Sequence, residues 1–331
     1  MCWASLSFLS LKELGCEGST EDRRNLSGRT GIFVGLSAAA LYFVSSWVAA
    51  ARSSSKKSPI AHRLQVSLPS LLQLGVGFVT NFFDTLGIGS FATTTTIFKM
   101  GRMVRDELIP GTMNVGHTLP TILQAFLYIA IIQVDLTTLL LLIGSAVLGA
   151  WWGAGLVARL PRRAIQLGVG AALTASVLFM AMGQLHWFPV GGEKVALSGF
   201  RLAAGAIGTC LFGALSTLGI GFYAPCMILV SLLGMKPLAA FPIMMGSSAF
   251  LMPVASARFL RSQVCDSKAA AGLALGGLPA VLLAAFVVKS LPLEALRWLV
   301  MAVAFWAALL LFRSALHETD ARIIPAGVNG A

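Results

Sequence analysis

Long stretches without a single charge constrain this chain more than any other feature. Asp, Glu, Lys and Arg are missing from residues 30 to 51, 108 to 134, 136 to 158, 164 to 192, 202 to 235, 237 to 257 and 269 to 288. About 20 apolar residues cross a bilayer as a helix, so each run is long enough to span. Over the 331 residues only 11% are charged and 57% are hydrophobic, against roughly 25% charged in an average soluble domain. A polytopic membrane protein is the class that fits. A chain that spends most of its length in lipid has no room for a separate catalytic domain, which argues against an enzyme.

The formal net charge of +11 is carried in short loops between apolar runs, where the positive-inside bias places Lys and Arg, and does not indicate nucleic acid. Cys2, Cys16, Cys210, Cys226 and Cys265 show no paired spacing, so neither a disulfide framework nor a zinc site is indicated. No HExxH, GxSxG or GxxxxGKS occurs, so no metal, no cofactor and no protease, lipase or ATPase chemistry is expected.

The chain repeats itself. Thr85-Leu86-Gly87-Ile88-Gly89 recurs as Thr217-Leu218-Gly219-Ile220-Gly221, and the register continues through Met113 and Met245, Asp135 and Asp266, and Leu160-Pro161 and Leu291-Pro292 with one residue lost. The expected organisation is an extramembrane segment, 1–29, then an N-terminal transmembrane helix with a basic linker, 30–67. Two repeats follow at 68–185 and 201–315, joined by a periplasmic loop at 186–200 and ending in a tail at 316–331. The apolar-then-polar order of residues 1–29 is the reverse of a secretory signal.

Leu64 to Phe98 is 35 residues with one charge, Asp84. An unbroken helix of that length would run about 52 Å, well beyond a hydrocarbon core of about 30 Å. Basic residues flank both ends, which predicts a re-entrant hairpin with its tip at TLGIG. The second hairpin then enters from the opposite side. Loops assigned inside hold 15 Lys plus Arg from residue 52 onward, and those assigned outside hold five, Lys194, Arg201, Lys236, Lys289 and Arg297. The predicted fold is therefore all-α: two homologous inverted repeats, each a glycine-broken hairpin plus three transmembrane helices, after one extra N-terminal helix. The competing arrangement lets each TLGIG segment cross fully.

Glycines at corresponding places in both halves suit the discontinuous helices that build substrate sites in inverted-repeat transporters. Half-helix N-termini attract an anion through their dipole and unpaired N–H groups. The predicted substrate-binding residues are Thr85, Gly87, Gly89, Asn114, Thr217, Gly219, Gly221 and Ser247. Asp84 is expected to be either a proton-coupling acid or a cap on the following half-helix, and its counterpart is Ser216. His117 is expected either to relay protons or to sit neutral with both nitrogens satisfied. Asp135 and Asp266 read as helix N-caps, and Pro110, Pro120, Pro242 and Pro253 as kinks.

GFVTNFFDTLGIGSFATTTT and GALSTLGIGFYAPCMILVSLLG, followed by the small-residue segment IMMGSSAFLMP, a short Asp turn and a span ending in Leu-Pro, resemble the TauE/SafE sulfite exporter family over about 68–315. The glycine run after the broken point is reduced here, and Asn81 and Asp84 lie outside the general pattern. The resemblance implies a secondary permease, usually an exporter, for sulfite, sulfonates or related sulfur oxyanions in a bacterial inner membrane. Its partners would be a small anionic substrate and the bilayer, and a homo-oligomer is compatible with such a chain. The alternatives are an anion channel, an uptake permease for another small anion, or a membrane-embedded sensor or enzyme.

Overall fold

The structure is a computed structural model that describes residues 20–57, 68–87, 89–157, 192–216 and 222–290, with scattered positions inside 167–185 and 298–313. The second TLGIG, the Arg159, Arg162 and Arg163 cluster, most of the expected spans 164–185 and 296–312, and both chain ends lie outside the described residues. The described residues are almost all helical and form no strand; one isolated bridge joins Lys194 to Met235.

Nine α-helices are described. They are α1 (Thr20–Lys57), α2 (Leu71–Thr85), α3 (Ser90–Met100), α4 (Ile109–Ile131), α5 (Leu136–Val157), α6 (Gly199–Ser216), α7 (Tyr223–Leu232), α8 (Ala240–Ser262) and α9 (Ser267–Ser290). Four segments among them are both long and apolar enough to cross a membrane: Ser27–Arg52, Gly199–Ser216, Pro237–Ser262 and Ser267–Val287. The α4 helix matches these in length but carries an inward polar stripe.

The sidedness of α2 shows what surrounds it. Its buried positions, Gln73, Val76, Gly77, Thr80, Asn81, Asp84 and Thr85, follow helical spacing and are mostly polar. Its outward positions include Leu72, Phe78, Val79 and Phe83, all exposed. A helix in water orients the other way, so an apolar outer face around a polar seam is compatible with a helix in a membrane protein. Trp151 and Trp152, at 78% and 74% exposed, lie in the last two turns of α5.

The tightest packing is α2 on α9 and α5 on α6, with α4 lying against α8 and α9. Glycines make these crossings close. A Cβ on Gly77 would stand 2.6 Å from the Gly272 carbonyl oxygen, and one on Gly276 would strike the Leu74 carbonyl. On the other crossing, Gly213 abuts the Ala146 carbonyl and Gly149 the Cys210 carbonyl. Small residues are how lipid-embedded helices approach, since apolar burial between them gains little over lipid contact.

Helix ends follow the sequence. Ser70 and Gln73 form a reciprocal capping box at the start of α2. Asp135 accepts from the Thr138 N–H at 2.8 Å and Asp266 from the Ala269 N–H at 2.9 Å, so both expected caps are formed. Pro110 and Pro242 differ from expectation. Each sits in the first turn of its helix, where no i−4 hydrogen bond is lost, so they start α4 and α8; only Pro120 and Pro253 are interior to these two helices.

Candidate functional site

Helix α2 ends where the first TLGIG begins. Leu86 and Gly87 form a turn, Gly87 at φ +93° and Gly89 at φ +82°, and α3 restarts at Ser90. Those dihedrals are open to glycine and costly for any side chain, so the motif itself interrupts the helix. The Gly87 N–H donates to the Asp84 carbonyl at 2.8 Å and closes the turn. A Cβ on Gly87 would meet Met227 Cε of α7 at 2.5 Å and Met244 Cε of α8 at 3.6 Å, which places the turn against α7 and α8. Around the second TLGIG the described part of α6 runs to Ser216 and α7 begins at Tyr223, with 217–221 outside the described residues.

Asp84 is buried at the break. One carboxylate oxygen, Oδ1, accepts from the Ser90 N–H at 2.6 Å, and the other, Oδ2, from Gln124 Nε2 at 3.0 Å. The carboxylate thus caps α3, the plainer of its two expected roles. It also occupies the place at the α3 N-terminus where an incoming anion would bind. Every one of these bonds has a donor aimed at the carboxylate, the arrangement that suits its charged form. The two ion pairs among the described residues, Arg105–Glu107 and Lys236–Glu193, are on the surface, so among the described residues no cationic side chain pairs with Asp84.

From Asp84 a hydrogen-bonded network crosses three helices. Gln124 Nε2 also donates to Thr85 Oγ1 at 2.9 Å, Thr85 Oγ1 donates to the Asn81 carbonyl at 2.7 Å, and the Tyr128 hydroxyl donates to the Thr85 carbonyl at 2.8 Å. Asn81 Nδ2 donates to the Gly77 carbonyl at 2.7 Å, which leaves its Oδ1 facing His117 Nδ1 at 3.0 Å. Because Oδ1 can only accept, Nδ1 carries the proton, and the Thr94 hydroxyl donates to Nε2 at 3.0 Å. His117 therefore has both nitrogens satisfied and ties α4 to α2 and α3. One atom of the network is left over. Gln124 Oε1 is buried and has no hydrogen-bond partner among the described residues.

The site residues expected from sequence divide into three groups. Asp84, Thr85, Gly87 and His117 come together, with Gly89 in the same turn. Asn114 and Ser247 do not contribute side chains: Asn114 Nδ2 turns back to the Pro110 carbonyl and Ser247 Oγ to the Ile243 carbonyl, each on its own helix. Thr217, Gly219 and Gly221 lie outside the described residues.

Asn81, Thr94, Thr121, Gln124, Tyr128, Tyr223 and Ser248 were not singled out as site residues. Tyr223, the first residue of α7, lies near Thr121, Ser248 and Asp84. The signal that could have found the α4 members is the polar spacing 117, 121, 124, 128, a helical stripe in an otherwise apolar span. The two halves are chemically unequal. Ser216, at the position of Asp84, turns its hydroxyl to the Gly213 carbonyl, and α7 has no side-chain cap at its start.

No family model, curated protein or solved structure matches the chain.

Proposed function

We propose that this protein is a multi-pass secondary transporter that moves a small anion by alternating access between two inverted repeats. Sulfite, sulfonates and related sulfur oxyanions are the substrates of first choice, exported across a bacterial cytoplasmic membrane. The substrate class and direction come from the resemblance to TauE/SafE sequences. The mechanism rests on one observation: a buried polar network gathered around a broken helix, in a bundle whose outer face is apolar.

Packing supports the two-repeat reading. Exchanging the repeats turns the α2–α9 crossing into α6–α5, and Asn81 against Gly277 becomes Gly213 against Ala146, its counterparts in the repeat register. The α4–α8 pair maps onto itself. Each hairpin arm thus packs on a span of the opposite repeat, and the surface between them can open on either side.

In this reading the anion is drawn to the start of α7, which no carboxylate caps, with Tyr223, Ser248 and Thr121 offering hydroxyls. Asp84 and His117 govern coupling, because a charge change at Asp84 would weaken its bonds to the start of α3 and to Gln124, from which the network extends to α2. Proteoliposome flux of sulfite, sulfonates and sulfate, with and without a pH gradient, tests the proposal. Saturable flux of at least one anion, lost in Gly89→Val and Gly221→Val, is expected. Unchanged flux in both variants would remove the site, and conductance without counterflow would make the chain a channel.

A further inference from the structure

Asp84 and Gln124 together pose a problem that their own contacts do not solve. The carboxylate is buried, receives neutral donors, and pairs with no cationic side chain among the described residues. The α3 N-terminus supplies partial positive charge, about half an elementary charge for a whole helix, which compensates it incompletely. Beside it, Gln124 Oε1 is a fully buried acceptor with no donor among the described residues. Natural interiors rarely leave such an atom unpaired, and a specific case calls for a missing partner.

A proton does not supply that partner. A protonated Asp84 would reach Oε1 only with the Gln124 amide turned over, which leaves Nε2 buried in its place without an acceptor, and a water donating to Oε1 would leave the carboxylate's charge uncompensated. A cation can satisfy both, because its oxygen contacts of about 2.4 Å reach two atoms at once. Amide geometry places Oε1 about 2.3 Å from Nε2, so it lies no more than roughly 5 Å from Oδ2. One carboxylate, one amide oxygen and nearby hydroxyl and carbonyl oxygens form a hard donor set with a single negative charge, which suits a monovalent ion better than a divalent one.

We infer that Asp84 and Gln124 form a binding site for a sodium-sized monovalent cation at the helix break. The end of α2 contributes to it: the Thr85 carbonyl points into this region, where it receives Tyr128, and the C-terminal dipole of α2 favours positive charge. The site stands without the transport reading, which is needed only to call the ion a coupling ion. Tyr223 joins the two, since it lies near Asp84 and begins the helix assigned to the anion.

The test is thermal stability of the purified full chain in detergent, in NaCl, KCl or choline chloride at equal concentration and pH. Sodium should raise the midpoint, by roughly 3–5 °C over choline at about 10–100 times Kd, and the rise should grow with the logarithm of sodium concentration above Kd. Asp84→Asn should abolish the rise. Gln124→Leu, which removes Oε1, should shift the sodium titration at least tenfold to higher concentration, whereas Gln124→Glu should keep or tighten it. These two variants leave the carboxylate in place and carry the test if Asp84→Asn does not fold. Equal midpoints in sodium and choline for the wild type, or an undiminished sodium shift in both Asp84→Asn and Gln124→Leu, would overturn the site. Sodium stabilisation without anion flux would leave the site standing and reject transport.

Discussion

Replacing Gly87 or Gly89 with Ala should destabilise the protein, and the sign of the effect carries the argument. In a continuous helix each glycine lowers stability, and Ala would restore roughly 0.8–1.0 kcal/mol. Here both residues have φ far into the positive region, at +93° and +82°. A side chain there costs about 1–2 kcal/mol, so the two cases differ by roughly 2–3 kcal/mol per site. A Cβ on Gly89 meets nothing within 4 Å, so its penalty should be backbone strain alone. On Gly87 the Cβ also presses on Met227 Cε at 2.5 Å, a flexible side chain that can turn aside at small further cost.

Gly75 is the internal control. It lies in the middle of α2 with open space around it, so Gly75→Ala should gain what the other two lose. At about 2 °C per kcal/mol for a chain of this size, the melting midpoint in detergent should fall by about 2–4 °C in Gly87→Ala and Gly89→Ala and rise by up to about 2 °C in Gly75→Ala. Fluorescence-detected size-exclusion after heating reads all three. A rise in all three would mean that helix runs through the motif, and the site built on the break would fall with it.

Gly77→Ala should separate from Gly75→Ala by about 1–3 kcal/mol in the unfavourable direction, since its Cβ would lie 2.6 Å from the Gly272 carbonyl oxygen of α9; equal midpoints would refute the crossing. Asn81→Ala leaves the His117 Nδ1–H without an acceptor and should cost about 1–3 kcal/mol, seen as a lower melting midpoint, with Asn81→Asp retaining the acceptor and losing less. Asp135→Ala and Asp266→Ala each remove a helix cap and should cost about 0.5–2 kcal/mol in the same assay without touching the buried network; Asn at either position should recover most of it.

Much of the fold was legible because it follows from local chemistry. Charge-free length marks spans, Asp135 and Asp266 announce the helices they cap, and a glycine pair inside an over-long apolar segment announces a break. Asp84 stood out as a lone charge in an apolar span, and its capping of α3 was one of two roles its position allowed. Its partner was not legible. Gln124 lies 40 residues away and meets it only because α4 packs beside the break. Tyr223 is more remote still, on the far repeat. Asn114 and Ser247 show the converse. Both look like site residues by composition, yet each satisfies itself on its own helix, a local bond that a sequence cannot distinguish from an inward-facing one.

The central claim is that the surface between the repeats alternates between the two sides of the membrane while holding a small anion. Counterflow measures this most directly: vesicles preloaded with unlabelled sulfite, diluted into a trace of labelled sulfite with no ion gradient. The account predicts a transient accumulation of label above its external level, abolished by Gly89→Val. Label that only equilibrates, or a wild type and variant that behave alike, would contradict it.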